Sequence, residues 1–360
     1  MNKRKIITVV GARPQFIKLA PVSREIRKKF KEIIVHTGQH YDFELSDIFF
    51  EELEINRPDI NLETGSGHHG LMTGKMIIDL ERVFLDLKPD MVLIFGDTNS
   101  TLAASIAAVK LHIPIAHVEA GLRNFNIDIP EEVNRLVSDR LSKLLFAPTE
   151  TAIKNLEAEG IFSGVFFTGD VMYDSLLYFS KKAESASKIL ESNKLEPEKY
   201  ILATIHRQEN TDNLLNLGEI ISAFNSSSSK IIMPLHPRTR QRLKELKIKI
   251  DTAKVNIIPP VGYLDSLRLI KNAKKVVTDS GGLQKEAYIL KTPCITVFPN
   301  TSWTETVVDG YNILTSAKKE NILKQLEEFS AKGAIYNYHY GDGTASIKIS
   351  DHIKQFFMGR

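Results

Sequence analysis

Short apolar runs recur along this chain with amphipathic stretches between them, and that alternation restricts the possible folds more than any other feature. The runs are IITVV (6–10), IIVHT (33–37), MVLIF (91–95), IPIAHV (113–118), LLFAP (144–148) and VFFTG (165–169), then YILATI (200–205), KIIMPL (230–235), VNIIPP (255–260), KKVVTD (274–279) and CITVF (294–298). They are apolar throughout rather than alternating, as parallel strands covered by helices on both faces are. Between the first two runs, Phe16, Ile17, Leu19, Ala20, Val22 and Ile26 gather on one side of a helical projection, and Pro14 suits a first helical turn. The pattern is βαβ alternation, twice over, so the fold class is α/β with two doubly wound domains. The text from 181 to 198 loses its apolar runs and fills with Lys, Glu and Ser, and is read as the connection. Ligands of such domains bind at the carboxyl ends of the strands, so the expected site is a central cleft with a domain on each side.

Composition agrees and removes other classes. The 360 residues suit two domains of ~100–200 residues each. With 42% hydrophobic and 25% charged residues, and 47 Lys+Arg against 44 Asp+Glu, the chain is neither collagenous nor disordered. The single cysteine, Cys294, has no partner for an intramolecular bridge, and no Cys/His group has zinc-ligand spacing. A reducing, cytoplasmic setting and no metal are expected. No apolar stretch approaches the ~18–20 residues of a membrane span, and the run 6–10 is too short for a signal peptide. The formal charge of +3 gives no sign of a nucleic-acid partner.

Two apparent nucleotide motifs fail on position. Residues 65–70 read GSGHHG, a G-x-G-x-x-G match, but they follow NLET rather than the first apolar run, whose own turn is GARP (11–14). Gly74-Lys75 lacks both the earlier glycine and the following Ser/Thr of a P-loop. The basic groups 27–29 and Lys247/Lys249 read as solvated helix faces.

Polar residues placed directly after the strands remain. Asp97 follows MVLIFG and could be a helix cap. Glu119 ends IPIAHV and could pair with Arg123 or Arg135. Glu131 and Glu132 follow Pro130 at a helix start, where the dipole favours them in any case. Three acids (Asp97, Glu119, Glu131) at neighbouring strand ends must have their repulsion compensated, a setting suited to acid/base work. In the second half, YILATI leads to His206 and Arg207, KIIMPL to His236, and KKVVTD to Asp279-Ser280-Gly281-Gly282. Glycines at a helix start let backbone N–H groups approach a phosphate. Arg13 and Lys18 flank the first strand-to-helix turn. A diphosphate-bearing ligand, economically a sugar nucleotide, accounts for these features together.

The succession GARPQFIKLAP (11–21), HTGQHYD (36–42), GDTNSTLA (96–103), HVEAGLR (117–123), PEEVNRLVSD (130–139), TIHRQEN (204–210), PLHPRT (234–239) and TDSGGLQKEA (278–287) resembles the non-hydrolysing UDP-N-acetylglucosamine 2-epimerase family over nearly the whole chain. The resemblance implies a glycosyltransferase-B type fold of two Rossmann-like domains. The N-terminal domain, 1–185, would carry the carboxylates and the C-terminal domain, 199–342, would bind UDP. A helix in 343–360 would return to the first domain. It implies interconversion of UDP-GlcNAc and UDP-ManNAc through elimination of UDP to a 2-acetamidoglucal, without a cofactor, for cell-surface polysaccharide precursors. Catalytic roles fall on Asp97, Glu119, Glu131 and His206. UDP contacts fall on Arg13, Lys18, His206, Arg207, His236, Ser280, Gly281, Gly282 and Glu286, the last at the ribose. A homodimer is expected.

The alternatives are a UDP-2,3-diacetamido-2,3-dideoxyglucuronate 2-epimerase, which the GARPQFIK and HTGQHYD versions resemble, and a hydrolysing epimerase or glycosyltransferase of the same fold. The chain departs from many relatives at Phe298 and Ser302, where they have arginine and glutamate. It also departs at Asp42 and 65–75, so activation by a second substrate molecule is not expected to carry over.

Overall fold

A computed structural model describes residues 3–39, 52–65, 67–301 and 303–359, with the side chains of Arg13, Pro237 and Arg238 left aside. The chain divides into two compact units, Met1–Leu177 with Tyr338–Arg360, and Tyr178–Asn337.

The first unit is built on strands β1 (Lys5–Val10), β2 (Lys31–His36), β3 (Ile60–Asn61), β4 (Met91–Phe95), β5 (Ile115–Val118), β6 (Leu144–Ala147) and β7 (Val165–Phe167). They form one sheet in the order β3-β2-β1-β4-β5-β6-β7, parallel at every pairing. One face packs Ile7, Val9, Val92 and Ile94 against Met76, Leu80 and Phe84 of the helix His69–Leu87 and Ala103, Ala104 and Ala107 of the helix Asn99–Lys110. The alanines leave little side chain between backbones, so these two helices lie close together on the sheet.

The second unit carries β8 (Tyr200–Thr204), β9 (Lys230–Pro234), β10 (Val255–Ile258), β11 (Lys275–Thr278), β12 (Cys294–Val297) and β13 (Asn312–Thr315), in the order β10-β9-β8-β11-β12-β13 and again parallel. Ile201, Ala203 and Val277 face Leu217, Ile220 and Phe224 on one side of this sheet. Leu202 and Val276 face Leu269, Ile270 and Ala287 on the other. Neighbouring residues of one strand therefore lie in opposite cores, which is why these runs read as apolar at every position.

Two strands escape the apolar-run criterion. β3 has two residues and sits at a sheet edge. β13, at the other sheet's edge, carries a buried Asn312 that accepts from Thr296 Oγ1 at 2.8 Å and donates to Thr306 Oγ1 at 3.0 Å, so a polar network occupies an inward position.

The division between units falls within the helix Val171–Ala186, ahead of the polar stretch 181–198. That stretch is fastened to the second unit: Leu190 is part of its core, Ser187 Oγ donates to Asp265 at 2.6 Å, and Glu184 is ion-paired with Lys271. The return crossing precedes Tyr338, because Tyr340 is buried in the first unit and its carbonyl accepts from Asp170 N at 2.9 Å. The last helix, Ala345–Met358, lies against the helix Arg13–Lys29. Asp174 accepts from the backbone N–H groups of Ala345 (3.1 Å) and Ser346 (2.7 Å) at its start. Ile349 and Ile353 are fully buried, and Lys29 pairs with Asp351 at 2.6 Å. Truncating Ile349 to Ala is expected to cost ~2–5 kcal/mol through the cavity it leaves, read as a lower urea midpoint for the first unit's transition.

Candidate active site

In the first sheet the strand order reverses between β1 and β4, the position where open α/β sheets bind ligands. The chain leaves β1 through Gly11, where a Cβ would collide with Thr37 Oγ1 and Ser100 Oγ. Gln15 is buried just inside the following helix. Its Oε1 accepts from the N–H groups of Gly11 (2.8 Å) and Ala12 (3.0 Å), and its Nε2 donates to Phe95 O at 2.9 Å. This capping residue therefore ties the ends of β1 and β4 together.

One turn further along the helix, Lys18 forms an ion pair with Glu119 in which both side chains are about nine-tenths buried. A Cβ on Gly96 would lie 3.0 Å from Lys18 Nζ and 3.1 Å from Glu119 Oε2, so the pair closes directly over the turn that precedes Asp97. The partner expected for Glu119 was Arg123 or Arg135; both arginines are engaged elsewhere. Glu119 itself has φ +72°, a left-handed conformation that a non-glycine residue keeps only under constraint from its surroundings.

That constraint is visible. His117 of β5 is fully buried, with Nδ1 2.7 Å from Asp139 Oδ1 and Nε2 2.8 Å from Gly96 O. Asp139 Oδ2 accepts from Gly121 N at 3.0 Å and pairs with Arg123 at 2.8 Å. Arg123 also holds Glu159 through two contacts, at 2.6 and 2.8 Å. Burial opposes ionisation of Asp139, but His117 and Arg123 outweigh it and hold its carboxyl below the usual range. The same two carboxylates push the Arg123 guanidinium up against the opposing effect of burial.

Asp97 does not cap the helix that follows it. Thr98 does, accepting from Thr101 N at 3.3 Å. The Asp97 carboxylate instead pairs with Arg135, which also holds Glu132 at 2.9 Å. The two neighbouring glutamates have different surroundings: Glu132 is buried and accepts from the N–H groups of Asn124 and Phe125, while Glu131 is exposed on the first turn of the helix Pro130–Leu141.

The second sheet reverses between β8 and β11. Asp279, fully buried after β11, accepts from the N–H groups of His206 (3.1 Å) and Arg207 (3.1 Å) and from Asn210 Nδ2 (3.1 Å), and lies 3.7 Å from His206 Nδ1. The His206 ring is exposed, 6.3 Å between centroids from the exposed His236 ring. Arg207 lies over Phe298 at 4.5 Å from the ring centre. A Cβ on Gly281 would sit 3.7 Å from Arg207 Nη2 and 3.6 Å from Trp303 Nε1, so the guanidinium and the indole N–H converge on a bare helix start. Ser280 caps that helix (Gly281–Ile289), a Cβ on Gly282 would only reach Ser280 Oγ at 4.0 Å, and Glu286 is buried further along it.

The structure thus brings Lys18, Asp97 and Glu119 together in the first unit, and His206, Arg207, His236, Ser280 and Gly281 in the second. Arg13's side chain, Asp42 and Ser302 lie outside the described residues. Among the described residues, no three His, Cys, Asp or Glu side chains form a metal-binding group, and no helix is long and apolar enough to cross a membrane.

Residues 24–354 match the family model described as UDP-N-acetylglucosamine 2-epimerase. The chain belongs to that family. It is 55% identical over 354 residues to a Methanococcus maripaludis protein named UDP-N-acetylglucosamine 2-epimerase homolog, covering 97% of this chain and 99% of that one. It is 44% identical over 358 residues to the UDP-2,3-diacetamido-2,3-dideoxy-D-glucuronate 2-epimerase of Pseudomonas aeruginosa, covering 97% and 99%. The crystal structure of Methanocaldococcus jannaschii UDP-GlcNAc 2-epimerase in complex with UDP-GlcNAc and UDP superposes with a TM-score of 0.85 at 43% identity, over 98% of this chain and 99% of that one. The two parallel sheets are those of the epimerase family's glycosyltransferase-B type fold, and the chain is an isomerase of the sugar-nucleotide 2-epimerase kind.

The sequence assigns no role to Gln15, His117, Asp139, Asp279 or Trp303. A histidine inside the otherwise apolar run IPIAHV was the available signal for His117, since a buried imidazole requires partners. Asp139 also gives this epimerase an acid-sensitive anchor. Its stabilising contribution is complete above the unfolded carboxyl's value of about 4 and is lost as pH falls through its lower folded value. Wild type should therefore lose more stability than Asp139→Asn between about pH 5 and pH 2, measured by denaturant unfolding across that range.

Proposed function

We propose that this chain interconverts UDP-N-acetylglucosamine and UDP-N-acetylmannosamine by eliminating and re-adding UDP. The observation that carries the reading is the Lys18–Glu119 ion pair closed over the Gly96-Asp97 turn, which puts two carboxylates on adjacent strand ends beside a buried cation. Carbon 2 of the sugar is not next to a carbonyl, so its proton is not acidic enough for simple removal and return. Elimination avoids this: a base takes the carbon-2 proton, the carbon 1–oxygen bond breaks, and UDP leaves with the bonding pair, giving 2-acetamidoglucal. Re-addition of UDP with protonation of carbon 2 from the other face completes the inversion.

Two acid/base groups are needed, one on each face of the ring. Asp97, Glu119 and Glu131 are the proposed set. Glu119 is held as the ionised half of an ion pair, the form a base requires. His206, Arg207, His236 and the Ser280-Gly281-Gly282 helix start stabilise the diphosphate as it departs, with Arg13 and Lys18 as further cations and Glu286 at the ribose.

Incubation with UDP-N-acetylglucosamine in heavy water, without added nicotinamide, is expected to place one deuterium at carbon 2 of the recovered UDP-sugars, read by proton NMR. Exchange only with the diacetamido uronate would move the assignment to that branch. UDP release in step with free N-acetylmannosamine would indicate a hydrolysing enzyme, and sugar transfer to an acceptor a glycosyltransferase. Because Thr98 is the helix cap and Arg135 keeps Glu132 as a partner, Asp97→Asn is expected to fold, and turnover should fall by roughly 10²–10⁴.

The chain is further proposed to pair with a second copy of itself. Leu71, Ile78 and Leu85 are 73%, 53% and 54% exposed along one face of the helix His69–Leu87, seven residues apart. Two such helices crossing antiparallel at Ile78 set Leu71 against Leu85 and the exposed Lys75 against the exposed Glu81. The stripe is therefore complementary to itself about a two-fold axis. Sedimentation should give a dimer for the wild type and a monomer for Ile78→Glu.

A further inference from the structure

We propose that Asp139 and His117 are positioning residues that fix how Glu119 meets the sugar, a proposal that rests on the role given to Glu119 above. Both ring nitrogens of His117 face acceptors, the Asp139 carboxylate at 2.7 Å and the Gly96 carbonyl at 2.8 Å. The Asp139 carboxylate also accepts from Gly121 N–H and pairs with the buried Arg123.

The attachments bracket Glu119 along the chain. Asp139 grips residue 117 before it and residues 121 and 123 after it. The N–H groups of Glu119 and Ala120 both donate to Phe146 O at 3.1 Å. Asn155 Nδ2 donates to Gly121 O at 2.9 Å, and a Cβ on Gly121 would collide with Ala152 O. A left-handed glutamate is strained and persists only where its neighbours over-determine it, as these do. On its other side, His117 holds the carbonyl of Gly96, the residue before Asp97. Neither Asp139 nor His117 has a surface from which to touch substrate.

The test is a double-mutant cycle on carbon-2 exchange with wild type, Glu119→Gln, Asp139→Asn and the double variant. Asp139→Asn should lower kcat by about 10- to 100-fold, the cost of a misplaced reacting group, with UDP affinity by calorimetry unchanged. Because Asp139 acts through Glu119, the double variant should be no slower than Glu119→Gln alone. Independent losses that multiply, or an Asp139→Asn enzyme with wild-type kcat, overturn the proposal. Should Asp139→Asn not fold, Asp139→Glu takes its place in the cycle: a lowered kcat that vanishes in the Glu119→Gln background supports the proposal, and a loss that multiplies with that of Glu119→Gln overturns it. A wild type with no exchange at all removes the functional reading and the proposal together, an outcome distinct from an active wild type with an unaffected Asp139→Asn variant.

Discussion

A single buried polar side chain stitches the switch point of each sheet, and the placement of the candidate site groups depends on those two stitches. In the first unit it is Gln15, and in the second Asp279. Their chemistry follows from what they face. Gln15 meets two N–H donors on one side and the carbonyl of Phe95 on the other, so it must both accept and donate, and an amide does so without charge. Asp279 meets donors from His206, Arg207 and Asn210, so a carboxylate fits where an amide would oppose one N–H with another. Burial strengthens both arrangements and makes either residue costly to replace.

The first unit also resolves the crowding of its acids. Cations are interleaved with the carboxylates: Lys18 with Glu119, Arg135 with Asp97 and Glu132, Arg123 with Asp139 and Glu159. The near-neutral total charge of the chain conceals this local order. An arginine shared by two acids, in two of the three cases, aligns the carboxylates as well as neutralising them, because the guanidinium fork is planar.

The strand cores were legible because the runs, apart from β7 with its exposed Phe167, are largely buried on both faces and carry no alternation to confuse with a helix. β3 and β13 were not, one for its length and one for the polar network around Asn312. Site positions at strand ends were equally legible, since topology alone puts ligand groups there. Their partners were not. Lys18 and Glu119 are 101 residues apart, and nothing local distinguishes that pairing from Glu119 with Arg123. Asp97 reads as a cap in one dimension; only the fold shows Thr98 in that role and Arg135 within reach.

The final helix gives the molecule an order of assembly. The second unit is contiguous, Tyr178–Asn337, whereas the first is closed by residues translated after it. Domains usually fold in the order in which they emerge from the ribosome. Here the second unit can complete its core while Ile349, Ile353 and the groups that meet Asp174 are still to come. The part of the chain that begins first is thus the part that finishes last, and until the terminal helix docks, the surface of the helix Arg13–Lys29 that receives it stands open to a chaperone or to a competing chain.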